Sequence, residues 1–139
     1  MYVGLAAELI KKHEGLRLKP YKCTAGKLTI GYGRNLEDNG ISAYEADVLL
    51  NDDIQNCYAQ CIKFPFWNKL NDVRQAVLLD MCYNLGFARL NGFKKMLKAL
   101  GRLDYKTAAK EMLDSKWARD VKSRATELAE LMKYGIKEK

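Results

Sequence analysis

The sequence holds one histidine, two prolines, no Cys-x-x-Cys pair and no repeated or low-complexity segment. Each absence removes a class of protein. With His13 standing apart from Cys57, Cys61 and Cys82, the usual four-ligand zinc spacings are missing, so neither metal nor cofactor is expected. The 48% apolar and 29% charged content is that of a folded domain, and disorder is expected only around Lys137 to Lys139. No apolar run approaches the roughly 18 residues of a membrane span. The first residues, MYVGLAAELIKKHEG, lack a basic leader and are interrupted by Glu8, so no signal peptide is read there. The protein is expected to be held in the cytoplasm in which it is made.

What is present is positive charge, net +7. This favours polyanionic surroundings: nucleic acid, an anionic membrane or the bacterial envelope. Without an Arg-rich tract, a basic recognition helix or an aromatic-rich sheet motif, nucleic acid is not expected. Four cysteines allow two disulfides in an oxidising compartment. However, Cys57 and Cys61 extend an apolar row with Leu50 and Ile54, and Cys82 lies in the apolar run Val77 to Leu85, so all three read as small core residues. Trp67 and Trp117 read as core anchors.

A chain of 139 residues buries roughly 68% of its unfolded surface, enough for a real core. Val3, Ala6, Ala7 and Ile10 predict a first helix over Tyr2 to His13, stopped by Gly15. From Arg17 to Tyr32 the pattern suits short strands around a Thr24-Ala25-Gly26 turn, with Leu28-Thr29-Ile30 and Tyr32 as the strand. A polar loop runs from Asn35 to Gly40. Ser42 and Glu45 then form a capping box opening a long helix over Ala43 to Ile62, ended by Phe64-Pro65-Phe66-Trp67. Further helices are expected over Asp72 to Leu85, stopped by Gly86, Gly92 to Leu100, stopped by Gly101, Asp104 to Leu113, and Val121 to Tyr134, stopped by Gly135. The last could also lie on anionic membranes, although a place in the core accounts for it better. The class is α+β: a small lobe with a short antiparallel sheet (about 14–60), a long linking helix, and a predominantly helical lobe (1–13 and 61–139) within one domain over 1–139.

The chemically notable set is Glu14, eight residues, Cys23, five residues, Thr29, the last within Thr29-Ile30-Gly31-Tyr32-Gly33. Individually these are a solvated charge, a core thiol and a strand former. A carboxylate at a helix C-terminus, though, faces the negative end of the macrodipole, which favours its protonated form, and a general acid needs that form. Hydrolysis of a glycosidic bond calls for such an acid and, with inversion, a second group roughly 6.5–9.5 Å away that positions water.

His13-Glu14-Gly15-Leu16-Arg17-Leu18 with Tyr21, Cys23 and Thr29-Ile30-Gly31-Tyr32-Gly33 resembles the signature of the phage-type lysozymes, the endolysins of glycoside hydrolase family 24, best known from the T-even phages. Their motif is Glu, eight residues, Asp or Cys, five residues, Thr. The likeness continues through Arg74-Gln75-Ala76, Tyr83-Asn84-Leu85-Gly86, Gly92-Phe93, Ser115-Lys116-Trp117 and Arg124-Ala125.

The resemblance implies a lysozyme-like fold and hydrolysis, with inversion and without metal, of the β-1,4 bond between N-acetylmuramic acid and N-acetylglucosamine in peptidoglycan. It makes Glu14 the acid, gives Thr29 a part in placing water, and pairs Arg124 with Glu14. That pairing opposes the helix end, and the sequence leaves open which prevails. It also places Asn35, Tyr83 and Asn84 against the sugars, and Met96 and Glu111 at further cleft positions whose residue types differ from the best-known members. Cys23 stands where those carry Asp. An ordinary thiol, with pKa about 8.5, is only a few per cent ionised at neutral pH. Three readings stay open: a lowered pKa helped by Lys22 and Arg34, water orientation without full ionisation, or weak activity. The family further implies a monomer that waits in the host cytoplasm until a holin opens the way to the wall, releasing phage progeny by lysis. The alternative is a peptidoglycan-binding module with weakened catalysis.

Overall fold

The computed structural model describes residues 3–137. Two compact units divide the chain, one through Leu49 and one from Leu50 onward.

The first unit opens with α1 (Val3–Glu14), whose last turn carries Lys11, Lys12 and His13 against the negative end of the helix dipole. The helix runs one residue past the predicted His13; Tyr2, its predicted start, lies outside the described residues. Gly15, at φ +73°, caps it by donating its N–H to Lys11 O at 3.0 Å, a left-handed conformation that glycine adopts without steric cost.

Three antiparallel strands follow in the order β1-β2-β3: β1 (Arg17–Lys22), β2 (Leu28–Gly31) and β3 (Arg34–Asn35). The β1–β2 turn closes where Cys23 N–H donates to Lys27 O and Gly26 N–H to Cys23 O. The polar loop expected from Asn35 to Gly40 is instead a one-turn helix, α2 (Leu36–Asn39). Asn35 makes the difference, because its side-chain oxygen accepts from Asp38 N–H at 3.0 Å and caps that turn.

The capping box forms as predicted. Ser42 Oγ accepts from Glu45 N–H at 3.1 Å, and Glu45 Oε1 accepts from Ser42 N–H at 2.9 Å. The long helix α3 (Ala43–Cys61) follows, ending one residue before the expected Ile62.

In the second unit a 3₁₀ turn (Trp67–Lys69) precedes α4 (Asp72–Leu85), whose bounds match the prediction. The core lies here. Val77, Leu78, Met81 and Cys82 of α4 are buried, as are Cys57, Cys61, Trp67 and Trp117, so the core readings of these cysteines and tryptophans hold. Each large apolar side chain so buried contributes about 1.5–3 kcal/mol.

Three details depart from expectation. A short helix, α5 (Phe87–Leu90), occupies a stretch without predicted structure. The helix expected from Gly92 begins later, as α6 (Lys94–Gly101), because Gly92 and Phe93 donate their N–H groups back to Arg89 and Leu90 in a turn. After α7 (Tyr105–Leu113), capped by Asp104, a helix without a counterpart in the prediction, α8 (Lys116–Val121), capped by Ser115, precedes α9 (Ser123–Tyr134), which begins two residues after the expected Val121 and ends where expected. Lys122, at φ +47°, separates them. Gly135 stops α9 in the left-handed region. Among the described residues no helix is long and apolar enough to cross a membrane.

Candidate active site

Residues directly opposed in an antiparallel pair point to the same face. Thr29 opposes Tyr21 across β1–β2 and Asn35 across β2–β3, so Tyr21, Thr29 and Asn35 share one face of the sheet. Cys23, two residues beyond Tyr21, continues it into the turn. Thr29 is the buried polar residue of this face, 3% exposed, and its hydroxyl donates to Lys27 O at 2.8 Å.

The Cys23 thiol is held below the ordinary thiol range. The largest cause is hydrogen bonding to the backbone of Lys27, followed by that of Ala25; partial burial opposes them, and the Thr29 side chain adds a smaller lowering contribution. Donors aimed at a sulfur favour its anionic form. Thr29 has a single hydroxyl proton, so it can serve the thiolate only by leaving Lys27 O. The backbone therefore accounts for most of the effect, not the Lys22 and Arg34 side chains invoked from sequence. Arg34 is committed elsewhere, its Nη2 lying 2.6 Å from Glu45 Oε2.

Glu14 closes α1 and is exposed. Its carboxyl lies on the β2–β3 turn: a Cβ built on Gly33 would meet Glu14 Oε2 at 2.6 Å and Cδ at 2.9 Å. One turn earlier, Lys11 Nζ sits 5.3 Å from the centre of the Tyr32 ring, a second link between this helix end and the turn. Glu14 thus reaches the loop that joins the strands carrying Thr29 and Asn35. Asn35 is half-occupied by its capping role, since its Nδ2 also donates to Asp38 Oδ2.

The remaining predicted residues belong to the second unit. Arg124 gives both Nε (2.9 Å) and Nη2 (2.7 Å) to Asp80 Oδ1. Tyr83 is half exposed and lines a hollow of about 470 Å³ with Asn56 and Gln60. Asn84 Oδ1 accepts from Trp117 Nε1 at 2.8 Å. Met96, 1% exposed, belongs to the core and forms the floor of a hollow of about 540 Å³ that Glu111 also lines. Two participants escaped sequence reasoning. Gly33 carried no signal of its contact with Glu14. Asp80 did carry one, being the only charge within the apolar run Val77 to Leu85, where a carboxylate needs a partner. Among the described residues no group of three His, Cys, Asp or Glu is placed to hold a metal ion.

The phage lysozyme family matches this chain over residues 11–133. An endolysin of Acyrthosiphon pisum secondary endosymbiont phage 1 is 34% identical over 138 residues, covering 94% of this chain and 90% of its own. An endolysin of Bacillus phage B103 is 36% identical over 118 residues, which is 78% of this chain and 42% of that one. The pre-baseplate central spike protein Gp5 of Enterobacteria phage T4 is 28% identical over 158 residues, 93% of this chain and 28% of its length.

Proposed function

Because the chain belongs to the phage lysozyme family, a family of lysozyme-type glycosidases acting on peptidoglycan, we propose that it is an endolysin muramidase. It cleaves the β-1,4 bond between N-acetylmuramic acid and N-acetylglucosamine and inverts the anomeric carbon. The observation that carries this reading is the seating of the Glu14 carboxyl on Gly33, in the turn next to the strand that bears Thr29.

In this reaction Glu14 gives its proton to the glycosidic oxygen as the bond to the muramic acid carbon breaks. Water attacks that carbon from the opposite face, oriented by the Thr29 hydroxyl, and its proton passes to the Cys23 sulfur. The lowered pKa of Cys23 supports its use as the base, because it raises the ionised fraction near neutral pH. Arg124, oriented by Asp80, is the cation assigned to hold the acid in place. Asn35, Tyr83 and Asn84 are assigned to the sugars, with Met96 and Glu111 at the more distant end. For Met96 the role is confined to supporting the floor of its hollow.

The protein acts as a monomer, stays in the host cytoplasm until a holin gives it passage, and then works in the periplasm and wall, releasing phage progeny. Mass spectrometry of the fragments released from purified sacculi tests the assignment: N-acetylmuramic acid at every new reducing end supports it, whereas N-acetylglucosamine ends or free stem peptides contradict it.

A further inference from the structure

In the second unit α7 and α9 pack through small side chains. Ala108 and Ala109 of one helix and Ala125 and Ala129 of the other are buried. Small residues let helices approach closely and leave their longer neighbours standing as walls. The result is a groove of about 820 Å³, within the size range of ligand sites. The buried Ala109 and Ala129 line it together with Lys106, Lys110, Lys133 and Tyr134.

The charges are unequal. Lys106 and Lys110 are one turn apart on the same side of α7, and among the described residues none of the three lysines is in an ion pair. Of the two carboxylates in the groove, Asp104 is committed: it accepts from Thr107 N–H at 3.1 Å and lies 3.6 Å from Arg102 Nη2. Glu130 alone is left against three ammonium groups, and a concave wall of one sign concentrates counter-ions. Tyr134, 61% exposed, offers an aromatic face with Lys133 Nζ 5.1 Å from its ring centre.

We propose that this groove is a second wall-binding site, which takes the carboxylate-bearing stem peptides of peptidoglycan and holds the enzyme on its insoluble substrate. The proposal rests on the reading of peptidoglycan as substrate. A lipid surface fits less well, because Ala125, Leu128, Ala129 and Met132 of α9 are buried, leaving that helix without the apolar face that interfacial binding requires.

The test is binding of uncleaving Glu14→Gln protein to purified sacculi. Replacing Lys106, Lys110 and Lys133 together by Gln is expected to weaken binding about tenfold, which is about 1.4 kcal/mol. A control with Lys63→Gln, Lys69→Gln and Lys98→Gln, of equal net charge, changes it less than about twofold. Sacculi whose carboxylates have been amidated bind the parent about tenfold more weakly than intact sacculi do; this arm needs no change to the groove and stands even if the triple variant melts early. Equal losses in the groove and control variants, no effect of amidation, or a groove-dependent loss on anionic vesicles but not on sacculi would each overturn the proposal. Binding that behaves as expected while active protein releases no reducing ends would sink the hydrolase reading and leave the groove standing.

Discussion

Glu14 Oε2 rests 2.6 Å from the place where Gly33 would carry a Cβ, so the carboxyl at the end of α1 is seated directly on backbone. Only glycine permits this, and Gly33 is further fixed by a φ of +78°. Gly33→Ala is expected to lower lytic activity about a hundredfold by displacing the acid on the order of an ångström, and to cost about 1–2 kcal/mol through the left-handed backbone. Gly40→Ala separates the two effects. Gly40 has a similar φ of +59°, but nothing lies within 4 Å of its added Cβ. At ψ −148° Gly40 stands in a backbone region that glycine alone favours, so that variant loses at least as much stability in urea unfolding and keeps its activity.

The lowered Cys23 pKa fixes the sign of a pH effect. The folded state favours the thiolate, so this contribution to stability is present above the ordinary thiol range and is lost as pH falls through the lowered folded value. The same ionisation makes the base available, so activity on sacculi rises with pH through it. Cys23→Asp moves this rising limb toward acid, because a carboxyl ionises near 4. Superimposable limbs in the two pH–rate profiles would remove Cys23 from the role of base.

The other three cysteines behave oppositely. Burial is the main cause that pushes Cys57 up to about 12, Cys61 up to about 11, and Cys82 upward as well. Native-state alkylation near neutral pH, read by mass spectrometry, is expected to mark Cys23 first and leave these three unmodified. Because the folded state favours their neutral form, their contribution to stability is full below the unfolded thiol value of about 8.5 and is lost as pH rises from there toward 11 and 12. Through these three thiols, thermal melts shift downward on the alkaline side.

Arg74 carries a different kind of burden. Its Nε donates to Met132 O at 2.7 Å and its Nη2 to Lys133 O at 3.0 Å, satisfying carbonyls that the end of α9 leaves without partners. Its guanidinium also lies 3.5 Å from the centre of the Tyr105 ring. Arg74→Ala is expected to destabilise by about 2–4 kcal/mol in chemical denaturation. Arg74→Lys recovers only part of this, since an ammonium cannot make the forked, stacked contact.

Local punctuation was legible in the sequence where it involved neighbours. The Ser42–Glu45 box, the glycine stops at Gly15, Gly86 and Gly135, and the bounds of α4 agree with the structure, whereas Gly101, expected to stop α6, is its last residue. The same chemistry was present but passed over at Asn35 and Ser115, each of which caps a short helix. The break at Lys122 was hidden for a different reason: a lysine carries no propensity for the left-handed region, so only tertiary packing places it there. Among the site residues, the Glu14-Cys23-Thr29 spacing was readable, and the shared face of Cys23 and Thr29 follows from strand register. The backbone donors that lower the Cys23 pKa were not, because main-chain N–H groups leave no mark on residue identity. The contact of Glu14 with Gly33 and the commitment of Arg124 to Asp80 depend on long-range packing, for which one sequence offers at most the hint of a solitary charge in an apolar run.

The most direct test of the account is the rate at which new reducing ends appear when purified sacculi are treated with the wild type or with Glu14→Gln, a near-isosteric change that removes the acidic proton. The wild type is expected to release them rapidly and the variant about a thousandfold more slowly, with sacculus binding retained. Undiminished release by Glu14→Gln would contradict it.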